Sequence, residues 1–175
     1  MTEMEARPII RPFDDADAAA VREIFIRVNQ NLAPDHMAEA FDAYVIRSLR
    51  EEIDRITDYY ESRDGSFFVV EQTTGIIGFY GLESAGPDAM ELRRMYVDPS
   101  HHGRGIGRAL LAHAEAQARQ LGKARLILST SELQVAALSL YRASGYRELR
   151  DGIVESQSNK ALGAGLRRFH FEKSL

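Results

Sequence analysis

Residues 90–107, MELRRMYVDPSHHGRGIG, constrain the fold most. In this segment a strand pattern is followed by a turn and then by a glycine-rich loop. Alternation of side chains along the strand predicts that Leu92, Arg94 and Tyr96 share one face. The Asp-Pro-Ser at 98–100 ends the strand, since proline donates no ladder hydrogen bond. The loop therefore starts directly at the end of a strand.

Gly103, Gly105 and Gly107 occupy alternate positions in this loop, and an amphipathic pattern follows from about Arg108. Glycines let main-chain N–H groups approach a ligand, and the unpaired first-turn N–H groups of a helix favour negative charge. The layout predicts a phosphate or pyrophosphate site at the start of the helix. The alternative is a tight turn without a ligand.

Spacing excludes two common phosphate-binding loops. The dinucleotide fingerprint G-x-G-x-x-G fails from Gly103, because Arg108 takes the third glycine position, and from Gly105, because Leu110 takes it. A P-loop needs a lysine after its last glycine, and no lysine lies between Arg93 and Lys123. What remains is the segment 102–107, HGRGIG.

This segment resembles the acyl-CoA loop of the GNAT acyltransferase superfamily, [QR]-x-x-G-x-[GA], which follows a strand and opens a helix. The resemblance implies that an acyl-CoA pantetheine arm pairs with the strand before the loop as an added strand, and that its pyrophosphate lies at the loop and helix start. The implied strand residues are Met95, Tyr96 and Val97. The implied pyrophosphate residues are His102, Gly103, Arg104, Gly105, Ile106, Gly107 and Arg108.

His102 departs from the family pattern, which has Gln or Arg at this position. A neutral imidazole can donate a hydrogen bond but lacks the fixed charge of arginine, so Arg104 and Arg108 are expected to supply that charge. An exposed loop histidine without a ligand is the alternative. His101 and His102 do not form a metal pair, because neighbouring side chains point apart and no third ligand lies at suitable spacing.

Two further residues carry the expected chemistry. Residues 137–146, ALSLYRASGY, are similar to the family pattern A-x-x-L-Y-x-x-x-G-[FY], which implies that Tyr141 protonates the leaving thiolate. Its alternative is a core aromatic. Glu91 lies eleven residues before His102, where several family members carry a general-base glutamate; a strand-end carboxylate paired with Arg93 or with solvent is the alternative. Gln134 stands where many relatives have Asn, which implies a contact with CoA.

Length and composition limit the class of protein. A chain of 175 residues is expected to form one domain, residues 1–175, and its lack of cysteine excludes disulfides, thiolate nucleophiles and thiolate metal sites. A net charge of -4 argues against nucleic acid as a partner and is compatible with a cationic substrate. The absence of a long apolar run and of a signal-peptide pattern near the start predicts a cytoplasmic protein without a membrane partner.

The order of the predicted elements resembles the GNAT fold along essentially the whole chain. This implies an α/β protein with a mixed central sheet of six to seven strands, helices on both faces, and a bulge or splay between the fourth and fifth strands. Strands 91–97 and 124–130, joined through a helix, are expected to be parallel. Predicted strands are 8–13, 67–72, 76–82, 91–97, 124–130, 146–149 and 168–173. Predicted helices are one interrupted at 29–35, a long one over 36–63, one ending at Gly122, and one over 133–144; a long loop is expected at 151–166.

The expected function is transfer of an acetyl group from acetyl-CoA to a primary amine of a small molecule, such as an amino acid, an amino-sugar or a polyamine, with no metal. The expected partners are acetyl-CoA and this amine, and a homodimer is a further expectation. Two alternatives remain open at this stage. One is acetylation of a protein or peptide amine, and the other is a CoA-binding module without turnover.

Overall fold

The computed structural model describes residues 7–175; the first six residues, part of the segment inspected for a signal peptide, lie outside that range. The strands are β1 (Ile9–Pro12), β2 (Ser66–Gln72), β3 (Gly75–Ser84), β4 (Ala89–Val97), β5 (Arg125–Ser131), β6 (Arg147–Val154) and β7 (Leu166–Ser174). The α-helices are α1 (Ala18–Leu32), α2 (Ala38–Glu51), α3 (Ile56–Glu61), α4 (Ile106–Gln120) and α5 (Val135–Ala143).

The strands form one mixed sheet in the order β1-β2-β3-β4-β5-β7-β6. The β4–β5 pair is parallel and every other described pair is antiparallel. One apolar core lies under α4 and α5, and a second lies on the opposite face under α1, α2 and α3. The predicted mixed sheet of six to seven strands with helices on both faces is therefore confirmed, with seven strands and the expected parallel pair.

The two central strands separate soon after they meet. Parallel pairing between β4 and β5 is limited to Ala89 with Arg125, Met90 with Leu126, and Glu91 with Ile127. Beyond that point β4 continues to pair with β3, while β5 continues to pair with β7. We call the diverging segments, 92–97 of β4 and 128–131 of β5, the splay. It leaves main-chain groups of both strands without a strand partner on the inner side.

A β-bulge in β4 accompanies the splay. Arg93 lies opposite Gly81 and Tyr96 opposite Phe79, so β4 uses three steps where β3 uses two. Arg94 supplies the extra residue and has a φ of +54°, in the left-handed region. Because a bulge shifts the alternation of side chains by one position, both arginines at 93 and 94 are buried.

The bulge overturns the predicted faces of β4. Leu92 packs in the core under α4, whereas Tyr96 packs in the core under α1 and α2. The prediction that Leu92, Arg94 and Tyr96 share a face is wrong, because strict alternation ends at Arg94. Met95 joins Leu92 on the α4 side, so the strand presents an apolar face to the helix that follows the glycine loop.

Two helix predictions also need correction. α1 continues to Leu32, and Asn29 within it is buried, its side-chain amide donating to the Phe25 carbonyl at 2.8 Å. The single long helix predicted over 36–63 is wrong, because α2 ends at Glu51 and α3 begins at Ile56. At the break, the backbone of Glu52 leaves the helical region, with φ −141°, and its side chain is fully buried.

The segment predicted as a loop over 151–166 is shorter than expected. β6 runs on to Val154 by pairing with β7, and the connection to β7 is residues 155–165, which we call the strap. Within the strap Asn159 donates to the buried Glu52, and Lys160 donates to Glu83 and Glu91. The strap therefore covers the face of the sheet beside the splay.

Candidate active site

A cleft of about 440 Å³ opens where β4 ends and α4 begins. Its walls come from the end of β4, the glycine loop, the start of α4 and α5, and the C-terminal half of α1. The lining residues include Val28, Leu32, Met95, Tyr96, Val97, His101, His102, Gly103, Gly105, Ile106, Gly107, Leu133, Gln134 and Leu140. Most of these side chains are apolar, and the polar groups come mainly from the loop main chain.

The glycine loop lies between β4 and α4, as its sequence pattern predicts. Gly103 and Gly105 have φ values of +75° and +78°, and Gly105 is the residue before the first turn of α4. A side chain at either position would meet no atom within 4 Å, so the main chain there faces open space. A left-handed residue followed by a 15-residue helix directs unpaired N–H groups toward the cleft.

His102 makes a contact that the sequence did not suggest. Its Nε2 lies 2.9 Å from the carbonyl oxygen of Val97, so the ring donates to the last residue of β4. This hydrogen bond uses one of the main-chain acceptors that the resemblance assigns to an acyl-CoA arm. Arg104 and Arg108 are exposed beside the loop rather than in the wall of the cleft.

A second, smaller cavity of about 70 Å³ lies inside the splay and is largely polar. We call it the splay cavity. It brings together residues far apart in the chain, among them both predicted catalytic residues. Its lining includes Tyr44, Glu91, Arg93, Arg94, Met95, Tyr96, Ser129, Thr130, Gln134, Tyr141, Asn159, Lys160 and Arg168.

Tyr141 reaches the splay cavity from α5. The ring is 5% exposed and packs against Tyr146 and Phe171 with centroid distances of 5.9 Å. Burial raises the pKa of its hydroxyl well above the ordinary value, an effect that nearby Tyr96 adds to and Arg168 opposes. The hydroxyl is therefore protonated at neutral pH and is available to donate a proton to a leaving thiolate.

Glu91 is the last β4 residue paired with β5, so it lies where the two strands diverge. Its Oε2 accepts a hydrogen bond of 2.8 Å from the Lys160 ammonium, which also donates to Glu83 at 2.5 Å. The Glu91 side chain is 21% exposed. Its partner is thus a lysine of the strap rather than the neighbouring Arg93 considered from the sequence.

Gln134 lies at the junction of the two cavities, immediately before α5. Its side-chain oxygen accepts hydrogen bonds from the hydroxyl of Thr130 and from the main-chain N–H of Ser131. The oxygen therefore holds the start of α5 against the end of β5. The amide NH₂ is the group left to donate to a ligand.

A buried polar network behind the splay cavity was not predicted. Glu52 Oε2 accepts from Arg94 at 2.8 Å and from Arg93 at 3.2 Å, while its Oε1 accepts from Tyr60 at 2.6 Å. Burial opposes ionisation of Glu52, but the two arginines outweigh it and hold its pKa below the usual range. Two consecutive arginines inside an apolar strand were the signal in the sequence, since buried cations require acidic partners.

The strap joins this network through Asn159. Its carbonyl oxygen accepts from Arg93 at 3.3 Å and also from Arg94, and its side-chain amide donates to Glu52 at 3.3 Å. The same amide donates to the hydroxyl of Tyr59 at 3.1 Å. These contacts close the splay cavity on the side of the strap, a role that no residue pattern over 155–165 indicates.

Arg168 of β7 was also missed, because the pair Arg167-Arg168 in a polar strand segment matches no motif. Its Nε donates to the Ser129 hydroxyl at 3.0 Å and its Nη2 to the Ser129 carbonyl at 3.3 Å. Its side chain lines the splay cavity and an adjoining inner cavity under α1, α2 and the strap. Arg168 thus adds a cation to the wall that contains Glu91 and Tyr141.

Within residues 7–175, no group of three or more His, Cys, Asp and Glu residues is arranged to hold a metal ion. None of the helices described above combines the length and apolar character needed to cross a bilayer.

Known proteins share both the sequence pattern and the fold. N-acetyltransferase family 8 member 2 of Rattus norvegicus is 31% identical over 137 residues, 75% of this chain and 59% of the rat protein. The chain spans about half to three fifths of the length of the mammalian relatives it matches. An acetyltransferase of the GNAT family from Staphylococcus aureus Mu50 superposes with a TM-score of 0.74 at 17% identity, covering 96% of this chain and 99% of that one.

A second solved structure, yncA of Salmonella typhimurium, is described with its cofactor acetyl-CoA. It has a TM-score of 0.72 at 21% identity and covers 97% of this chain and 94% of that one. The sequence model of the acetyltransferase (GNAT) family matches residues 23–146, which include β2 to β5, the glycine loop, α4 and α5. The chain belongs to the GNAT acetyltransferase family.

Proposed function

We propose that the protein transfers an acetyl group from acetyl-CoA to the primary amine of a small molecule. The observation that carries the proposal is the splay itself. β4 and β5 part after Glu91, Tyr141 lines the gap between them, and the glycine loop lies at its open end. A thioester threaded through this gap would lie between the buried hydroxyl of Tyr141 and the carboxylate of Glu91.

The cleft supports binding of the CoA portion. An extended amide arm can pair with the free main-chain groups of Met95 and Tyr96, in the manner of an added strand. The N–H groups around Gly103, Gly105 and Gly107 suit a pyrophosphate at the start of α4. The Salmonella protein of the same fold is described with acetyl-CoA, which supports the same cosubstrate for this chain.

In the proposed reaction the neutral amine attacks the thioester carbonyl, a C–N bond forms, and the C–S bond breaks. The amine loses one proton to Glu91, directly or through a water molecule, and the CoA thiolate gains one proton from Tyr141. The buried Tyr141 hydroxyl, whose pKa is raised by burial, is protonated before the reaction. Gln134 would help to hold the CoA arm beside it.

Glu91 must release Lys160 before it can accept a proton from the amine. Lys160 occupies its Oε2 at 2.8 Å, and the contact keeps the lysine charged: although burial lowers the pKa of Lys160, hydrogen bonds to Glu83 and Glu91 raise it overall. In the proposal an incoming amine or water takes the place of Lys160 at Glu91. Lys160 retains Glu83 as its acidic partner when this happens.

Enclosure of the splay cavity supports a small acceptor over a peptide. The strap contacts Glu52, Glu83 and Glu91, so it covers the splay cavity on one side. The splay cavity and the adjoining inner cavity measure about 70 and 50 Å³. Spaces of this size accommodate an amine with a few heavy atoms next to the thioester.

The test is release of free CoA thiol from acetyl-CoA in the presence of a panel of acceptors. The panel contains amino acids, polyamines, aminoglycosides and short peptides with free amino termini, and Tyr141→Phe protein serves as the control. We expect thiol release with small amines that greatly exceeds both the acceptor-free rate and the rate of the variant. Release with peptides alone would favour a peptide acetyltransferase, and binding of acetyl-CoA without release would favour a non-catalytic module.

A further inference from the structure

Arg168 occupies a central position in the wall of the proposed acceptor space. It lies opposite Ser131 of β5 and Gly152 of β6, near the end of β5 that diverges from β4. The guanidinium is fixed on one edge by Ser129, through Nε to the hydroxyl and Nη2 to the carbonyl. The side chain lines both the splay cavity and the inner cavity.

The other cations of this wall each have an acidic partner. Arg94 pairs with Glu52 at 2.8 Å, Arg93 with Glu83 at 3.2 Å, and Lys160 with Glu83 and Glu91 at 2.5 and 2.8 Å. These three cations are therefore paired with three acids, Glu52, Glu83 and Glu91. Arg168 is the fourth cation, and within residues 7–175 its hydrogen bonds go only to the neutral groups of Ser129.

The surroundings of Arg168 are unfavourable to an unpaired charge. Burial lowers its pKa below the ordinary value, and Arg94 adds a like charge nearby, although Tyr44, Tyr96 and Glu91 oppose this effect. A guanidinium presents five N–H donors in a planar fork that matches a carboxylate. Ser129 takes two of its nitrogens, which leaves donors on the third nitrogen and on the free positions of Nη2 for an anion.

Resting on the proposed function, we propose that Arg168 binds a carboxylate of the acceptor, so that the substrate is an amine that also carries a carboxylate, of the amino acid class. The splay cavity has Arg168 in the same wall as Glu91 and Tyr141. The acceptor's carboxylate pairs with Arg168 while its amino group lies toward Glu91. The positive charge of Arg168 favours an anionic group on the acceptor, whereas the overall net charge of -4 was compatible with a cationic substrate.

The first test compares acceptors that differ only in the carboxylate. Each α-amino acid is assayed against its primary amide and its decarboxylated amine, by thiol release from acetyl-CoA. We expect kcat/KM to be about 10- to 100-fold higher for the acid than for the amide. Arg168→Gln should remove that difference by lowering kcat/KM for the acid while leaving the amide nearly unchanged, and Arg168→Lys should restore part of it.

The control is Arg147→Gln, which removes the same charge from the neighbouring strand β6. Arg147 is exposed, pairs with Glu172, and lines neither of the two cavities, so its variant should keep the preference for the acid. Equal loss of kcat/KM for acid and amide in Arg168→Gln would overturn the proposal, because it would assign Arg168 to the transfer step or to folding. An amide that is as good an acceptor as its acid would also overturn it.

A second measurement does not depend on turnover. Thermal unfolding is followed for the CoA-saturated protein with N-acetyl amino acids and with the corresponding N-acetyl amides. We expect stabilisation by the acids that is absent with the amides and lost in Arg168→Gln. If no acceptor supports thiol release, the proposed transferase activity fails, while this experiment still decides the carboxylate site: stabilisation independent of the carboxylate contradicts it.

Discussion

Glu52, just beyond α2, and Arg94, at the bulge of β4, form a salt bridge of 2.8 Å in which the two side chains are 0% and 3% exposed. The bond joins the helical layer to the strand that borders the splay. Arg94 has a left-handed backbone conformation, which is strained for a residue with a side chain. Anchoring its guanidinium on Glu52 holds the bulge, and the bulge sets the direction of Met95 and Tyr96.

Glu52→Gln is therefore expected to destabilise the protein strongly. Removing the carboxylate leaves Arg94 buried without an acid and Arg93 with Glu83 alone. Breaking one partner of a buried ion pair typically costs about 3–5 kcal/mol in the free energy of unfolding. Urea denaturation of wild-type and variant protein measures this difference.

Asp54→Asn is the matched control for Glu52→Gln. Asp54 lies two residues away and pairs with Arg22 at 3.0 Å, but its side chain is 44% exposed. Exposed pairs contribute about 1 kcal/mol or less, so this variant should unfold close to wild type. Equal stabilities for the two variants would contradict the anchoring role of Glu52.

Tyr141→Phe tests the proton donor. We expect kcat to fall about 100-fold with little change in acetyl-CoA affinity, because the ring remains and only the hydroxyl is lost. Tyr146→Phe is the control: that tyrosine packs against Tyr141, but its hydroxyl donates to Glu115 at 3.0 Å. Steady-state rates measure kcat, and a CoA titration measures the affinity. A fully active Tyr141→Phe protein would remove this residue from the mechanism.

Glu91→Gln tests the proton acceptor. The substitution keeps the size of the side chain and an oxygen that can accept from Lys160, so folding should be preserved. We expect kcat to fall by about 100-fold or more while acetyl-CoA binding stays within a factor of about two. Glu23→Gln, on the exposed face of α1, serves as the control. Unchanged turnover in Glu91→Gln would assign the proton transfer to another group.

His113 predicts a pH dependence of stability. Burial holds its pKa below the ordinary value, and its Nδ1 lies 2.7 Å from the hydroxyl of Tyr80. The unfolded chain therefore takes up a proton first, so the contribution of His113 is present above about pH 6.5 and is lost as the pH falls below it. Thermal unfolding should show a smaller loss of Tm between about pH 7 and pH 5 for His113→Gln than for wild type. If the variant loses as much Tm as the wild type over this pH range, His113 does not contribute to the pH dependence of stability.

Sequence reasoning was strongest where local patterns determine structure. The glycine-rich loop lies between β4 and α4, as its pattern predicts, and the parallel pairing of β4 with β5 follows from the strand, helix and strand order. The bulge at Arg94 could not be predicted, because it depends on a buried acid 42 residues away in the chain. A regular alternation was the simplest interpretation of that strand.

The same limit applies to the site. Glu91 and Tyr141 were identified through a resemblance, and the structure has both in the lining of one cavity. Lys160, Asn159 and Arg168 were not found, because their roles arise from the strap and from β7 meeting the splay in three dimensions. His102 was considered as a ligand for pyrophosphate or as an exposed loop histidine, and its hydrogen bond to the carbonyl of Val97 was not anticipated.

The most direct test of the central claim, that the splay binds the acyl-CoA, is amide hydrogen exchange with and without acetyl-CoA. We expect slower exchange in two peptides, one covering residues 95–97 of β4 and one covering 103–108 at the start of α4. Exchange in β1 and in α3, which do not line the cleft, should not change. Protection at both segments would support the account, and unchanged exchange there under saturating acetyl-CoA would contradict it.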